Sequence, residues 1–66
     1  MNGYKYYLFI TGMDELPRTF FTRVEAEEYM HRLCKKHNLG RAEIVEDDKH
    51  EKKYQAGNIK FYINRV

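Results

Sequence analysis

One stretch of this chain, residues 22 to 38, has the pattern of an α-helix, and the rest has the pattern of strands and turns. Thr22 and Glu25 are three positions apart, the spacing of a capping box, in which hydroxyl and carboxylate each satisfy an amide that the first helical turn leaves unbonded. A single helix has one apolar stripe, so it can cover only one face of one sheet. This limit predicts a two-layer α+β domain.

The helix is predicted to run from residue 23 to residue 38. Its apolar positions recur at spacings of three and four residues, which places them on one face of the helix. The members of this face are Ala26, Tyr29, Met30, Leu33 and His37. Acidic residues cluster near its start and basic residues near its end, the order that complements the helix dipole. Asn38 and Gly40 can adopt the left-handed conformation at which helices stop.

Four strands are predicted, two before the helix and two after it. They cover residues 4 to 11, 18 to 21, 41 to 47 and 58 to 66. The segment 47 to 57 is polar and highly charged and ends in glycine, so it is predicted to be a mobile loop. The fold class is therefore a β-β-α-β-β sandwich with one helix on a four-stranded, mostly antiparallel sheet, as a single domain over residues 1 to 66.

The order of strands within the sheet follows from their composition. The first and last strands are the most apolar, so we place them at the centre of the sheet. The second and third strands are shorter or more charged, and we place them at the edges, where charge discourages pairing between molecules.

The length of the chain limits the stability of its core, and its single cysteine indicates its cellular environment. A core built from 66 residues stabilises a fold by about 3–5 kcal/mol at best, so such chains often use a disulfide, a metal or a partner. Cys34 is the only cysteine, which excludes a disulfide within the chain. A lone thiol without a signal peptide predicts a reducing, cytoplasmic setting, and no apolar run approaches the ~20 residues of a membrane span.

The stretch YYLFI, residues 6 to 10, places apolar or aromatic side chains on both sides of the first strand. Alternation along the first and last strands directs one set of side chains toward the helix. This set is Tyr6, Leu8, Ile10, Ile59, Phe61 and Ile63. The opposite set faces a side for which no second helix exists. It comprises Lys5, Tyr7, Phe9, Thr11, Lys60, Tyr62, Asn64 and Val66, and Val45 of the third strand is a further candidate.

An aromatic patch on that side has a structural interpretation and several functional ones. Aromatic pairs across strands stabilise a sheet by about 0.2–1 kcal/mol each, and tyrosine tolerates water. Phe9, however, has no polar tip, and contiguous apolar patches usually mark a contact site. The occupant can be a protein, a second copy of the chain, single-stranded nucleic acid stacked on the rings, or a small ligand, which a flat face serves poorly.

The charge balance favours a protein partner. The 12 basic and 10 acidic residues give a net charge of +2, whereas nucleic-acid affinity depends largely on neutralised phosphates. We therefore predict a non-enzymatic binding, adaptor or inhibitor-type protein with a partner-binding site formed by Lys5, Tyr7, Phe9, Lys60 and Tyr62. The alternatives are a homodimer that buries this patch and a nucleic-acid-binding module. In the latter, phosphate contacts would come from Lys35, Lys36, Arg41, Lys52 and Lys53.

Two comparisons with known families bear on these alternatives. TFFTRVEAEEY, residues 19 to 29, is similar to the F-x-T-x-x-E-A step into the helix of arm-type DNA-binding domains of phage integrases, with Phe20, Thr22, Glu25 and Ala26 as the matching residues. The resemblance implies DNA binding. Those domains place three strands before the helix, whereas two are predicted here, and a capping box followed by a small core residue gives the same pattern. The strand and helix order also differs from that of RNA-recognition modules.

The remaining clusters of polar residues indicate neither a metal site nor an enzyme. In HRLCKKH, the side chains of His31, Cys34 and His37 spread over about a third of the helix circumference, and zinc would need a fourth ligand such as His50. The acidic residues between 46 and 51 lack the spacing and glycine of a calcium loop. We predict no cofactor and no catalytic residue. The bias toward Tyr, Lys, Ile and Asn is typical of short genes of AT-rich bacteria and their phages, so a phage-type accessory protein acting on a host protein is one expected setting.

Overall fold

A computed structural model describes residues 5 to 65. The elements are β1 (Tyr6–Thr11), β2 (Arg18–Phe20), α1 (Arg23–Lys36), β3 (Glu43–Asp47), β4 (Glu51–Ala56) and β5 (Ile59–Arg65). The five strands form one antiparallel sheet in the order β2-β1-β5-β4-β3. The α+β class with one helix and an antiparallel sheet is confirmed. Tyr4 and Val66, which the sequence assigns to the ends of the first and last strands, lie outside the described residues.

The prediction of four strands is wrong, because most of the segment 47 to 57 is not a loop. β4 is inserted between β3 and β5, so the third and last predicted strands are not neighbours. Gly57 and Asn58 join β4 to β5, and a positive φ of 63° at Gly57 but not at Asn58 fits a type II′ hairpin turn. Because most residues of β4 are charged or polar, the sequence pattern predicted a loop there, although Tyr54 and Ala56 of this strand are buried.

The placement of the strands within the sheet agrees with the prediction. β1 and β5 are interior strands, and β2 and β3 are the two edges. The register pairs Leu8 with Ile63 and Ile10 with Phe61, so the two inward sets meet beneath the helix. α1 packs chiefly on β1, β2 and β5. The core therefore lies on that side, and its buried hydrophobic residues are Leu8, Ile10, Ala26, Met30, Leu33, Cys34, Ala42, Tyr54, Ala56, Ile59, Phe61 and Ile63.

The helix begins as predicted and ends two residues earlier, at Lys36. The Thr22 Oγ1 accepts from the Glu25 N–H at 3.2 Å, and the Glu25 Oε1 accepts from the Thr22 N–H at 3.1 Å, which completes the capping box. Asn38 is left-handed with a φ of 56°, and Leu39 donates its N–H to the Cys34 carbonyl at 2.9 Å. These features form a Schellman motif, which stops the helix.

The early end of α1 changes which residues form its inner face. His37, predicted for the apolar face, is the C-cap residue and is exposed. Cys34 is buried instead, with 3% of its surface exposed, and burial raises the pKa of its thiol. Tyr29 is only partly buried, and its ring packs on Phe20 with 5.6 Å between the ring centroids. Ala26, Met30 and Leu33 lie in the core as predicted.

Tyr54 connects β4 to the helix. Its O–H donates to the Glu27 Oε2 at 2.7 Å, and that carboxylate oxygen also lies 3.6 Å from the Arg23 Nε. Burial of the phenol, the hydrogen bond and the negative charge of Glu27 raise the pKa of Tyr54 above its usual value. The native state therefore favours the neutral, protonated form of Tyr54.

We expect Tyr54→Phe to lower the free energy of unfolding by about 1 kcal/mol near neutral pH, because the hydrogen bond to Glu27 is lost. The native state binds the Tyr54 proton more tightly than the unfolded state, so this stability is complete below the unfolded pKa of about 10 and is lost as the pH rises through the native pKa. Urea unfolding at neutral and strongly alkaline pH measures the difference. Tyr62→Phe is the matched control, and equal alkaline losses in wild type and Tyr54→Phe would contradict the prediction.

Candidate functional site

The face of the sheet opposite α1, called the free face below, is formed by alternate residues of all five strands. The pairing registers align these residues in three rows across the sheet. The first row contains Thr19, Tyr7, Asn64 and Glu51. The middle row contains Phe9, Tyr62, Lys53 and Glu46. The third row contains Thr11, Lys60, Gln55 and Glu43.

The middle row is a continuous series of side-chain contacts across four strands. The rings of Phe9 and Tyr62 pack in a tilted pair, with 5.9 Å between their centroids. The Lys53 Nζ lies 5.3 Å from the centroid of the Tyr62 ring and 3.4 Å from the Glu46 Oε1. An ammonium is attracted to the negative face of an aromatic ring. The row therefore presents an aromatic pair at one end and an ion pair at the other.

Phe9 is the most exposed ring of this row because of the short neighbouring strand. β2 begins at Arg18, which pairs with Leu8, so no residue of β2 lies beside Phe9. The Phe9 side chain is left 41% exposed, whereas Tyr7 and Tyr62 are partly buried. An apolar ring is thus accessible at the β1 end of the middle row.

The charges of the free face are of both signs and are separated across the sheet. Lys60 lies on β5, and Lys5 directly precedes β1 at the other end of the aromatic patch. The acidic residues lie on β3 and β4, as Glu43, Glu46 and Glu51. The Lys53 charge is paired with that of Glu46. A ligand that spans the face therefore meets cations beside the rings and carboxylates toward β3.

Four of the five predicted partner-binding residues lie together on this face, and the fifth, Lys5, directly precedes β1. Tyr7 and Phe9 are successive outward residues of β1, and Phe9 pairs directly with Tyr62 of β5. Val45, the further candidate, lies where the register shifts between Ile44 and Glu46, and no residue of β4 pairs with it. Its side chain is half-exposed on the edge strand rather than part of the three rows.

The basic residues predicted for nucleic-acid contact do not share a surface. Lys35 and Lys36 lie in the last turn of α1, and Arg41 lies between α1 and β3. Lys52 is on the helix side of β4, where its Nζ is 2.7 Å from the Asp47 Oδ1. Lys53 is on the free face. The chain thus distributes these charges over both sides of the sheet.

The HRLCKKH segment is divided between the core and the surface. Cys34 is buried in the core, whereas His31 and His37 are exposed. The His37 Nε2 lies 4.0 Å from the Glu15 Oε2, in the connection between β1 and β2. Within residues 5 to 65, no group of three His, Cys, Asp or Glu side chains is arranged to hold a metal ion.

Sequence reasoning missed the part of the free face that β4 contributes. The sequence pattern predicts a loop at Glu51 and Lys53, and it does not show that Glu46 lies beside them. The available signal was a two-residue Gly57–Asn58 connection between two alternating runs, which is typical of a hairpin. The strand pattern in EKKYQA is carried by Tyr54 and Ala56 alone, since the other side chains are polar on both faces.

The scaffold that carries the free face is small, with a Cα radius of gyration of 11.2 Å. α1 has 14 residues, and no helix in the described part of the chain combines the length and apolar character needed to cross a membrane. Comparison of the chain with protein-family models, curated proteins and solved structures finds no match.

Proposed function

We propose that this chain is a non-enzymatic binding protein that recognises a protein partner through the free face of its sheet. The observation that carries the proposal is the middle row, in which the paired rings of Phe9 and Tyr62 lie beside Lys53 and Glu46 on the face opposite α1. Tyrosine and phenylalanine provide large contact areas and are enriched in the cores of protein interfaces.

The distribution of charge supports a protein rather than a nucleic acid as the ligand. Glu43, Glu46 and Glu51 occupy the β3 and β4 side of the free face and would repel a phosphate backbone that crossed it. The complementary partner surface has an apolar centre that covers Phe9, acidic groups opposite Lys5 and Lys60, and basic groups toward β3. An accessory protein of phage type that acts on a host protein is the setting that we propose for this site.

We expect Phe9→Ala to weaken partner binding by at least about thirtyfold, because truncation of a central aromatic anchor typically costs 2 kcal/mol or more. Tyr7→Ala is expected to weaken binding in the same direction. The partner is first isolated on the immobilised wild-type protein, and the affinities of the purified pair are then measured by titration calorimetry. Leu16→Ala, at an 80% exposed apolar side chain of the β1–β2 connection, and Lys52→Gln, on the other face, are the controls expected to bind normally.

Three outcomes would contradict this proposal. Equal affinities of wild type and Phe9→Ala would remove the free face as the binding site. Saturable, salt-sensitive NMR shifts of Tyr7, Phe9 and Tyr62 on titration with short DNA or RNA would instead favour nucleic acid. A melting temperature that rises with protein concentration in wild type but not in Phe9→Glu would show that a second copy covers the face.

A further inference from the structure

We infer that β3 is a docking edge at which an extended, basic segment of a partner protein adds to the sheet as a further strand. This surface adjoins the free face, with which it shares the side chains of Glu43 and Glu46, but the inference does not rest on the function proposed above. It rests on the open edge of β3, on the groove between β3 and α1, and on the charge of the edge.

β3 ends the sheet and pairs with β4 on one side only. All five of its residues are exposed, including two consecutive apolar ones, Ile44 at 51% and Val45 at 50%. An edge strand presents a row of backbone N–H and C=O groups, which is the template used in strand addition. The register shift between Ile44 and Glu46 twists this edge, which selects a short segment over a long flat strand.

The opposite edge of the sheet is protected by comparison. β2 has only three residues, directly follows Pro17 and contains Arg18. Short length, proline, charged side chains and bulges are the usual means by which proteins block an edge. β3 contains neither proline nor lysine, so its protection rests on three carboxylates and on the bulge at Val45, and a basic segment neutralises the carboxylates. The two edges therefore differ in their capacity to accept a strand.

A groove on the helix side of β3 can accept an apolar side chain of the added strand. α1 packs chiefly on β1, β2 and β5, so the helix does not cover β3. The groove that remains has a volume of about 490 Å³ and is lined by His31, Arg41, Ala42, Glu43, Ile44 and Tyr54. Its apolar wall is formed by Ile44 together with Ala42, which gives an inward side chain of the added strand a surface to contact.

The charge of β3 selects a basic segment and opposes a second copy of this chain. Three of its five residues are acidic, Glu43, Glu46 and Asp47, and the carboxylates of Glu46 and Asp47 also pair with Lys53 and Lys52 of β4. Antiparallel pairing of two β3 strands would bring the three carboxylates of each copy to one shared edge, and like charges on neighbouring strands are destabilising. A partner segment that alternates lysine or arginine with apolar residues satisfies both the charges and the groove.

The test is a selection of random short peptides, displayed as a library, on the full immobilised chain. We expect enrichment of peptides that alternate basic and apolar residues. A synthetic peptide from this pool should shift the NMR signals of the Ile44, Val45 and Glu46 amides. Its affinity should fall at least about tenfold in Asp47→Lys, on the helix side of the edge, since like-charge contacts at an interface are strongly unfavourable. Phe9→Glu, on the free face, is the control expected to bind the peptide normally.

Several results would overturn the inference. One is a selection without enrichment, and another is an enriched peptide whose shifts map to the free face. Unchanged affinity in both Asp47→Lys and Ile44→Asp would exclude the β3 edge, and both side chains are exposed, so the variants should retain the native circular dichroism spectrum. Shifts of β3 amides that depend on protein concentration without peptide would show pairing between copies. Each result is independent of whether Phe9→Ala weakens binding at the free face.

Discussion

Phe61→Ala is expected to unfold the domain at room temperature, whereas Tyr62→Ala, one residue further along β5, is expected to leave it folded. Phe61 is fully buried and belongs to the central strand of the sheet, where it pairs with Ile10 and Tyr54. Truncation of a buried phenylalanine to alanine costs about 3–5 kcal/mol, which matches the whole stability of about 3–5 kcal/mol expected for a core of this size. No other single side chain of the described core has both this volume and this position.

Tyr62 differs because it points to the free face. Its truncation removes the ring pair with Phe9, and such cross-strand pairs contribute about 0.2–1 kcal/mol. Far-UV circular dichroism and urea unfolding distinguish the two variants. Phe61→Leu, which retains part of the buried volume, should remain folded with a lower urea midpoint. If Phe61→Ala unfolded cooperatively at nearly the same midpoint as Tyr62→Ala, the assignment of the two faces of β5 would be wrong.

Gly12→Ala is expected to have the second largest effect on stability, a loss of more than about 2 kcal/mol from backbone strain and overpacking together. Gly12 follows β1 with a φ of 96°, a conformation that residues with a side chain rarely adopt. A Cβ at this position would lie 2.9 Å from the Asn58 carbonyl oxygen and 3.0 Å from the Ile59 Cδ1. The first of these atoms is backbone, so the β4–β5 turn itself would have to move.

Gly57→Ala separates backbone strain from overpacking as causes of the stability loss expected in Gly12→Ala. Gly57 has a φ of 63°, but a Cβ there would have no atom within 4 Å. Its substitution is therefore expected to cost only the strain of a positive φ, about 1–3 kcal/mol. Thermal and urea unfolding of both variants measure the difference. A Gly57→Ala variant that is less stable than Gly12→Ala would show that contact between Gly12 and the β4–β5 turn is unimportant.

The two surfaces proposed for binding adjoin each other at β3, yet they have different chemistry. The free face places an aromatic pair beside Lys53 and Glu46. The β3 edge combines backbone groups with Ile44 and a row of carboxylates. Because Phe9→Ala and Asp47→Lys act on different surfaces, a partner that uses both would respond to each substitution separately.

Features that depend on a few neighbouring residues were determined by the sequence itself. The helix start at Thr22 follows from a hydroxyl and a carboxylate three residues apart, and the structure contains both hydrogen bonds. The inward and outward sets of β1 and β5 follow from a period of two in strongly apolar strands. The sequence contains one helical pattern, so a helix can cover only one face of the sheet. These interactions are local, so no knowledge of the remaining chain was required.

Only the tertiary structure decided the position of β4. Its residues are mostly charged, and they form a strand because β3 and β5 pair with them on both sides, an interaction between segments that no local pattern in EKKYQA encodes strongly. The same pairing places Lys53 over Tyr62 and next to Glu46, and leaves β3 as the open edge. The aromatic half of the free face was thus readable from alternation within strands, whereas its charged half required the register between strands.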